Sequence, residues 1–214
     1  MAVKASGPDP SSNLRLRLLM QNAKAENMPK ENVERAIKRA TDKDSADYKE
    51  MIYEGYGPHG IAVLVETGTD NSKRTVASVR MYFNKYGGTL GTSGSVGFMF
   101  EHKCVFKFKP TAGADLEEME LEMIDFGVDE FYAEEGEVTV YAAYESFGQI
   151  QTWIEEKGYE LVSGESVRIP TDTKELTSEE REAVNKLIEH LEEDDDVTNV
   201  YTTMAESEED EAEE

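Results

Sequence analysis

The sequence predicts an α+β protein in which a helical N-terminal hairpin precedes two small α/β domains. Three observations lead to this prediction. Apolar residues recur at helical spacing near the N-terminus, strand-like segments then alternate with amphipathic helices, and the first β-α-β-β run lacks the helix and strand that would complete a ferredoxin-like sheet. A helix and a strand near the C-terminus could complete that sheet, so we expect the block between them to be an inserted second α/β domain.

The pattern of residues 1–47 predicts the helical domain. Ser11, Ser12 and Asn13 offer N-cap oxygens before an apolar stripe that begins at Leu14. Pro29 suits the first turn of a second helix, because its missing N–H costs nothing there. The join between the helices is short, which is typical of a helical hairpin. A hairpin alone buries little apolar surface, so we expect it to pack against a partner.

Residues 48–112 predict the start of the ferredoxin-like domain. The polar residues 42–50 are interpreted as a linker, and Ile61–Glu66 as a strand on its aliphatic content. A helix follows over residues 73–86 and ends at two glycines. A glycine-rich stretch then leads to a hairpin whose second strand is predicted at Cys104–Lys109.

Residues 113–170 predict the inserted acidic domain, in the order α-β-β-α-β. Its first helix covers residues 115–125, with Leu116, Met119, Met123 and Ile124 facing inward. Glu135-Gly136 marks a hairpin turn, and Ser146 caps the second helix. Residues 171–204 then return to the ferredoxin-like sheet through a capping box at Thr177 and a strand over residues 197–203. The acidic residues 205–214 are predicted to be disordered.

The charge distribution is the main functional clue. The formal net charge is −24, yet residues 1–43 hold nine Lys/Arg against five Asp/Glu, and residues 71–110 hold seven against one. Exposed charges more than about 8 Å apart are largely screened at physiological salt. A basic surface can therefore act locally on an acidic protein.

The sequence offers no catalytic constellation and no cofactor motif. The carboxylates lie in solvated runs, and Ser93 and Ser95 do not form a nucleophile elbow. Cys104 is the only cysteine, and the histidines show no ligand spacing, so no metal site is predicted. We expect a protein that is not an enzyme and has no small-molecule substrate. Without a long apolar run or a signal-peptide core, we also expect a cytoplasmic location and no membrane partner.

Lys and Arg side chains on the predicted helices suit contacts to nucleic-acid phosphates. Lys73 and Arg74 stand at a helix start, where free N–H groups already favour anions. The glycine-rich loop 87–97 could cradle a phosphate, although a plain connection is the simpler interpretation. Tyr53 and Tyr56 could stack on a base or brace the fold. The candidate nucleic-acid-binding residues are Arg15, Arg17, Lys24, Lys30, Arg35, Lys38, Arg39, Lys73, Arg74, Arg80 and Lys85.

Several long strings resemble those of the YebC/PmpR family. They include Gly7-Pro8-Asp9-Pro10, the run Ala23–Lys38, Tyr53-Glu54-Gly55-Tyr56-Gly57-Pro58, and Thr69-Asp70-Asn71 followed by Arg74-Thr75-Val76. The resemblance extends to about residue 203 and implies three domains, no enzymatic activity and no cofactor. It also implies a probable transcriptional regulator that binds DNA. Family members usually carry a further basic stretch ahead of Gly7, so the helical domain is expected to be truncated here.

Three hypotheses follow. The first is a regulator that binds DNA through the helical hairpin and the basic face of residues 73–109. The second is a translation factor that docks on ribosomal RNA, because mitochondrial relatives resemble translational activators and some bacterial ones are tied to relief of ribosome stalling. The third is a protein-interaction module that uses the acidic residues 111–170. The sequence leaves the oligomeric state open.

Overall fold

The computed structural model describes residues 1–42 and 47–207, which fall into two compact units. The first unit contains residues 1–42 and 102–167, and the second contains residues 47–101 and 168–207. The helices and strands, in chain order, are α1 Ala2–Ser6, α2 Leu14–Ala25, α3 Lys30–Thr41, β1 Lys49–Tyr56, β2 Ala62–Thr69, α4 Ser72–Lys85, β3 Thr89–Leu90, β4 Phe100–Lys109, α5 Leu116–Ile124, β5 Val128–Glu134, β6 Glu137–Ala143, α6 Phe147–Glu156, β7 Glu160–Pro170, α7 Ser178–Glu192 and β8 Val197–Thr202. The α+β class with two helix-covered sheets is confirmed.

The helical hairpin of the first unit is pinned by one buried side chain. The Asn13 side-chain oxygen caps α2 by accepting from the N–H of Leu16 at 3.0 Å. Its Nδ2 donates to the carbonyls of Ala2 and Gly7, at 2.9 and 2.8 Å. Asn13 therefore fastens the short α1, which the sequence did not predict, against the start of α2.

The hairpin finds its partner in the sheet of the first unit. Leu18 joins a buried core with Phe106 and Phe108 of β4. Asn22 bonds both backbone groups of Gly164 in β7, at 2.8 and 3.0 Å. A Cβ at Gly164 would lie 2.5 Å from Phe106, so only glycine lets these elements approach so closely.

The ferredoxin-like order occurs in this first-unit sheet, whose strands run β5-β6-β4-β7. Strand β6 lies between β4 and β5 and pairs antiparallel with both, which is the split β-α-β arrangement. The prediction that Cys104–Lys109 belongs to the sheet of residues 48–112 is therefore wrong. Strand β4 begins at Phe100, before the predicted start at Cys104, and the alternation of its side chains buries Cys104, Phe106 and Phe108 in the same core as those of β6.

The second unit contains a sheet in the order β3-β1-β2-β8. Helices α4 and α7 cover one face, where Val79, Phe83 and Leu187 pack against the aliphatic side chains of β2. Strand β1 begins within residues 42–50, which their polar composition had indicated to be a linker. It pairs with β2 over its whole length, from Lys49 opposite Thr69 to Tyr56 opposite Ala62. The predicted capping box at Thr177 is confirmed at the start of α7.

Two further observations bear on the sequence predictions. Leu116 and Ile124 were expected to face inward from α5, but their side chains are exposed, because only Met119 and Met123 reach the core. Of the predicted disordered tail, residues 208–214 lie outside the described residues. Within the described ranges, no helix is long and apolar enough to cross a bilayer.

Candidate nucleic-acid interface

Helix α4 presents the densest run of cations in the second unit. Asn71 caps it by accepting from the N–H of Arg74 at 3.2 Å. Its inward side buries Thr75, Val79 and Phe83, and this fixes which side faces solvent. Cations and neutral residues occupy the outward side, and the helix contains no Asp or Glu. The cations are Lys73, Arg74, Arg80 and Lys85, and all four are exposed.

The spacing of these residues produces two adjacent lines on the helix. Lys73 and Arg80 are seven residues apart and therefore share one line. Arg74, Met81 and Lys85 share the other, and the side chain of Met81 is 52% exposed. The helix thus offers a cationic surface with an apolar centre, suited to lying along a sugar–phosphate backbone.

Arg74, one of the candidate nucleic-acid-binding residues, is already paired with acids inside the protein. Its Nη2 lies 2.8 and 2.9 Å from the two carboxylate oxygens of Asp196, and 3.0 Å from Asp70. Asp196 is only 6% exposed and also accepts from the hydroxyl of Thr75 at 2.8 Å. A buried carboxylate needs this pairing, so Arg74 joins the start of α4 to the turn before β8.

The titration of Asp196 reflects the same contacts. Burial is the largest influence and raises the pKa of this carboxyl, but the hydrogen bonds from Arg74 and Thr75, with the charge of Arg74, bring it below its ordinary value of 3.8. Asp196 is therefore held as an anion that neutralises Arg74.

The other cations of α4 are more available. Within residues 1–42 and 47–207, the side chains of Lys73 and Arg80 form neither an ion pair nor a hydrogen bond. The Lys85 ammonium lies 4.9 Å from the centre of the Tyr86 ring, an exposed cation–π contact. Three of the four predicted α4 residues thus point their charge at solvent.

The predicted cations of the hairpin lie in the first unit and divide into two groups. Arg17 makes a two-point contact with Glu155, at 3.1 and 2.8 Å. Lys30 lies 3.6 Å from Glu34, and Arg35 bonds Asn32 and the carbonyl of Glu31. Lys24, Arg35, Lys38 and Arg39 are exposed and form no ion pair to a described residue. Arg15 is also exposed, at the first turn of α2.

The glycine-rich loop does hold an anion, but the anion is a side chain of the protein. The carboxylate of Glu54, on β1, accepts from the N–H groups of Gly94, Val96 and Gly97, at 2.7, 2.8 and 2.6 Å. Burial is the largest influence and raises the pKa of Glu54, yet the three N–H donors together lower it below its ordinary 4.5. The hypothesis that these donors cradle a phosphate is therefore wrong, because Glu54 occupies them.

Several other side chains have structural roles. Tyr53 packs into the core beneath α4, and its hydroxyl reaches the carbonyl of Ser72 at 3.5 Å, so it braces the fold. His59 has a positive φ of 59° in the turn before β2 and lies 3.5 Å from Glu180. Cys104 is buried in β4, and burial raises the pKa of its thiol to about 11. Among the described residues, no group of three or more acidic, His or Cys side chains could hold a metal.

Sequence reasoning missed Glu54, Asp196 and the exposed Phe98. Glu54 lies between Tyr53 and Gly55, and nothing in the sequence indicated that its carboxylate meets a loop forty residues later. Asp196 was one of many acids in residues 192–196, and its burial depends on the approach of α4. The sequence contained one usable signal, since Phe98 interrupts a glycine-rich stretch between Val96 and Phe100.

Two family models match the chain. The TACO1/YebC N-terminal domain matches residues 1–43, and the second and third domain of TACO1/YebC matches residues 48–204. A "Probable transcriptional regulatory protein" of Porphyromonas gingivalis is 60% identical over 208 residues, covering 97% of this chain and 86% of that protein. One of the same name from Parabacteroides distasonis is 60% identical over 211 residues, covering 99% and 87%.

A solved structure is also similar. It is the crystal structure of a conserved hypothetical protein, Aq1575, from Aquifex aeolicus. It matches with a TM-score of 0.73 and 35% identity, covering 96% of this chain and 85% of that one.

Proposed function

The chain belongs to the TACO1/YebC family, and from that premise we propose that it is a non-enzymatic regulator of gene expression that binds the backbone of DNA through α4. The names of its relatives, probable transcriptional regulatory proteins, support the regulatory part of this proposal. The cationic outward side of α4 supports the DNA part.

One observation carries the proposal. In a chain with a net charge of −24, a helix of 14 residues carries four cations and no carboxylate, and only Arg74 is neutralised by a buried acid. A solvated basic face would ordinarily be interleaved with acids, as on α3, where Lys30 pairs with Glu34. Lys73, Arg80 and Lys85 have no acidic partner among residues 1–42 and 47–207, which favours an anionic ligand.

The mode of contact follows from the side chains. Lys73, Arg80 and Lys85 would meet phosphates as exposed charges, and each contact would release condensed counterions from the duplex. Lys73 lies in the first turn of α4, where the helix dipole adds to its attraction for an anion. Backbone contacts of this kind fix position but do not read bases, so affinity would depend strongly on salt and weakly on sequence. Within the first unit, Lys24, Lys38 and Arg39 are separate candidates for phosphate contacts.

The test compares two variants that remove the same charge. The first is Lys73→Gln, Arg80→Gln, Lys85→Gln; the matched control is Lys49→Gln, Lys107→Gln, Lys109→Gln, whose lysines are exposed outside α4. Fluorescence anisotropy with a labelled duplex reports affinity. Losing three phosphate contacts should weaken binding on the order of 100-fold at low salt. The control should remain close to the unaltered protein.

Two outcomes would contradict the proposal. Equal losses in both variants would mean that total charge matters rather than α4, and no binding of the unaltered protein at low salt would exclude DNA as the ligand. A parallel titration with ribosomal RNA separates the remaining alternative. Binding confined to that RNA, with the same dependence on α4, would favour the ribosome-associated translation factor.

A further inference from the structure

We propose that the outward side of α5, in the first unit, is a docking surface for a basic amphipathic helix of another protein. The surface consists of Leu116, Leu121 and Ile124 with the acids beside them. It goes beyond the proposed function, because its occupant is a protein rather than DNA. It also assigns the protein-interaction hypothesis, which concerned residues 111–170, to one helix.

Three large apolar side chains of α5 are exposed although the helix has a buried side. Leu121 is 66% exposed, Ile124 57% and Leu116 41%. Met119 and Met123 point into the core, and at about 100° per residue Leu121 lies on the opposite side of the helix. Ile124 is three residues from Leu121, so these two side chains are neighbours. Neighbouring exposed apolar side chains with a charged rim are typical of interaction sites.

Helix α5 is held firmly in place, so this exposure does not come from a loose segment. Asp115 caps its start by accepting from two backbone N–H groups, at 3.0 and 3.2 Å. Near its end, Glu122 accepts from the indole N–H of Trp153 at 2.9 Å and lies 2.7 Å from the ammonium of Lys157. These contacts fix α5 against α6 and leave the side with Leu121 to solvent.

The charge around the apolar side chains decides which ligand fits them. Residues 115–125 contain six acids and no Lys, Arg or His. Within residues 1–42 and 47–207, only Glu122 of these acids forms an ion pair. Glu117 and Glu120 are three residues apart and repel each other, and Asp125 follows the last turn, where the helix dipole disfavours an anion. A cationic ligand would relieve both costs.

The other classes of occupant fit this surface poorly. Nucleic acid and anionic lipid headgroups carry the same sign of charge as the acids of α5. A second copy of the chain would bring its own six acids against these six. A helix with an apolar seam between lysines or arginines matches both features, because seam and flanking charges together select the partner in paired helices. The distance from Leu116 to Ile124, roughly 12 Å, suits about two turns of such a helix.

The experiment measures binding of the whole protein to a labelled amphipathic helical peptide of leucine and lysine, by fluorescence anisotropy. A peptide with glutamate in place of lysine tests the charge of the ligand. In the protein, Leu121→Ser, Ile124→Ser removes two apolar side chains of the docking surface. The matched control Leu19→Ser, Met28→Ser removes two exposed ones from the helical hairpin. Circular dichroism checks that each variant is folded.

The leucine–lysine peptide should bind, and the glutamate peptide should not. Leu121→Ser, Ile124→Ser should weaken binding on the order of 30-fold, from the apolar surface that the two side chains still expose. The control with Leu19→Ser, Met28→Ser should match the unaltered protein.

A second pair of variants tests the acids. Glu117→Gln, Glu120→Gln removes two acids beside Leu121, and Glu26→Gln, Glu165→Gln removes two exposed acids elsewhere in the first unit. The first variant should weaken binding at low salt and reduce its dependence on salt, because the lost charges act at short range. The second should change neither.

Three results would overturn the inference. They are no binding of the leucine–lysine peptide, equal binding of the glutamate peptide, and equal losses in a docking-surface variant and its control. Sedimentation analysis adds a fourth, since a dimer that Leu121→Ser, Ile124→Ser dissociates would make a second copy the occupant. None of the substituted residues lies in α4, so each of these results leaves the test of DNA binding unaffected.

Discussion

Replacing Glu54 with Gln tests whether the glycine-rich loop is held by an internal anion. The amide has the shape of the carboxylate but only one acceptor oxygen. Placed at Oε2, that oxygen would keep the N–H groups of Val96 and Gly97 and leave the N–H of Gly94 facing an NH₂ group. Placed at Oε1, it would keep Gly94 and lose the other two. Either orientation leaves at least one donor unsatisfied.

The expected cost follows from these three contacts. A hydrogen bond to a charged acceptor contributes about 1.5–3 kcal/mol, and an unsatisfied buried donor costs a further 1–3 kcal/mol. Losing the charge on two bonds and the partner of a third should therefore destabilise the loop by about 3 kcal/mol. This corresponds to a fall in amide protection of roughly 100-fold, at 1.4 kcal/mol for each factor of ten.

Hydrogen exchange followed by NMR measures this effect at the amides of Gly94, Val96 and Gly97. Glu160→Gln is the control, because Glu160 is an exposed acid at the start of β7 and should change nothing at the loop. Protection of the three amides in Glu54→Gln that matches the unaltered protein would refute the role assigned to Glu54.

Three further predictions concern stability and reactivity. Asp196→Asn should lower the free energy of unfolding by about 2 kcal/mol, because it leaves Arg74 without its main charged partner. Solvent around the exposed guanidinium screens part of the loss. A urea midpoint equal to that of the unaltered protein would contradict this. The pKa values of Glu54 and Asp196 are lowered below 4.5 and 3.8 in the folded state, so their stabilisation is present above those values and lost as pH falls through the lowered ones. In urea titrations at acid pH, the free energy of unfolding of the double variant Glu54→Gln, Asp196→Asn should fall less steeply with decreasing pH than that of the unaltered protein. An equally steep fall in both proteins would contradict this. Cys104, buried and with its pKa raised to about 11, should react with a maleimide only after unfolding; rapid labelling of the folded protein would show that β4 opens readily.

The sequence predicted the elements that local signals define. The capping box at Thr177, the glycine turn at Gly136 and the helix over residues 73–86 each depend on residues close in the chain, and the structure contains all three. Strand β1 was missed because its exposed, charged start resembles a linker. Its strand character comes from pairing with β2, which no local pattern reveals.

The same contrast between local signals and long-range contacts applies to the candidate interface. The sequence identified the cations of α4, because their density against an acidic background is visible in the residue order. It could not separate Arg74 from the others, since the partner Asp196 lies 122 residues away. It also placed Cys104–Lys109 in the wrong sheet, because a strand's partners are decided by tertiary packing rather than by its own alternation.

The salt dependence of duplex binding tests the α4 interface most directly. The logarithm of the binding constant should fall linearly with the logarithm of salt concentration, and each lost phosphate contact should reduce the slope by about 0.9. The variant Lys73→Gln, Arg80→Gln, Lys85→Gln should therefore show a slope smaller by nearly 3, while Lys49→Gln, Lys107→Gln, Lys109→Gln keeps the original slope. Identical slopes for the unaltered protein and the α4 variant would contradict the account.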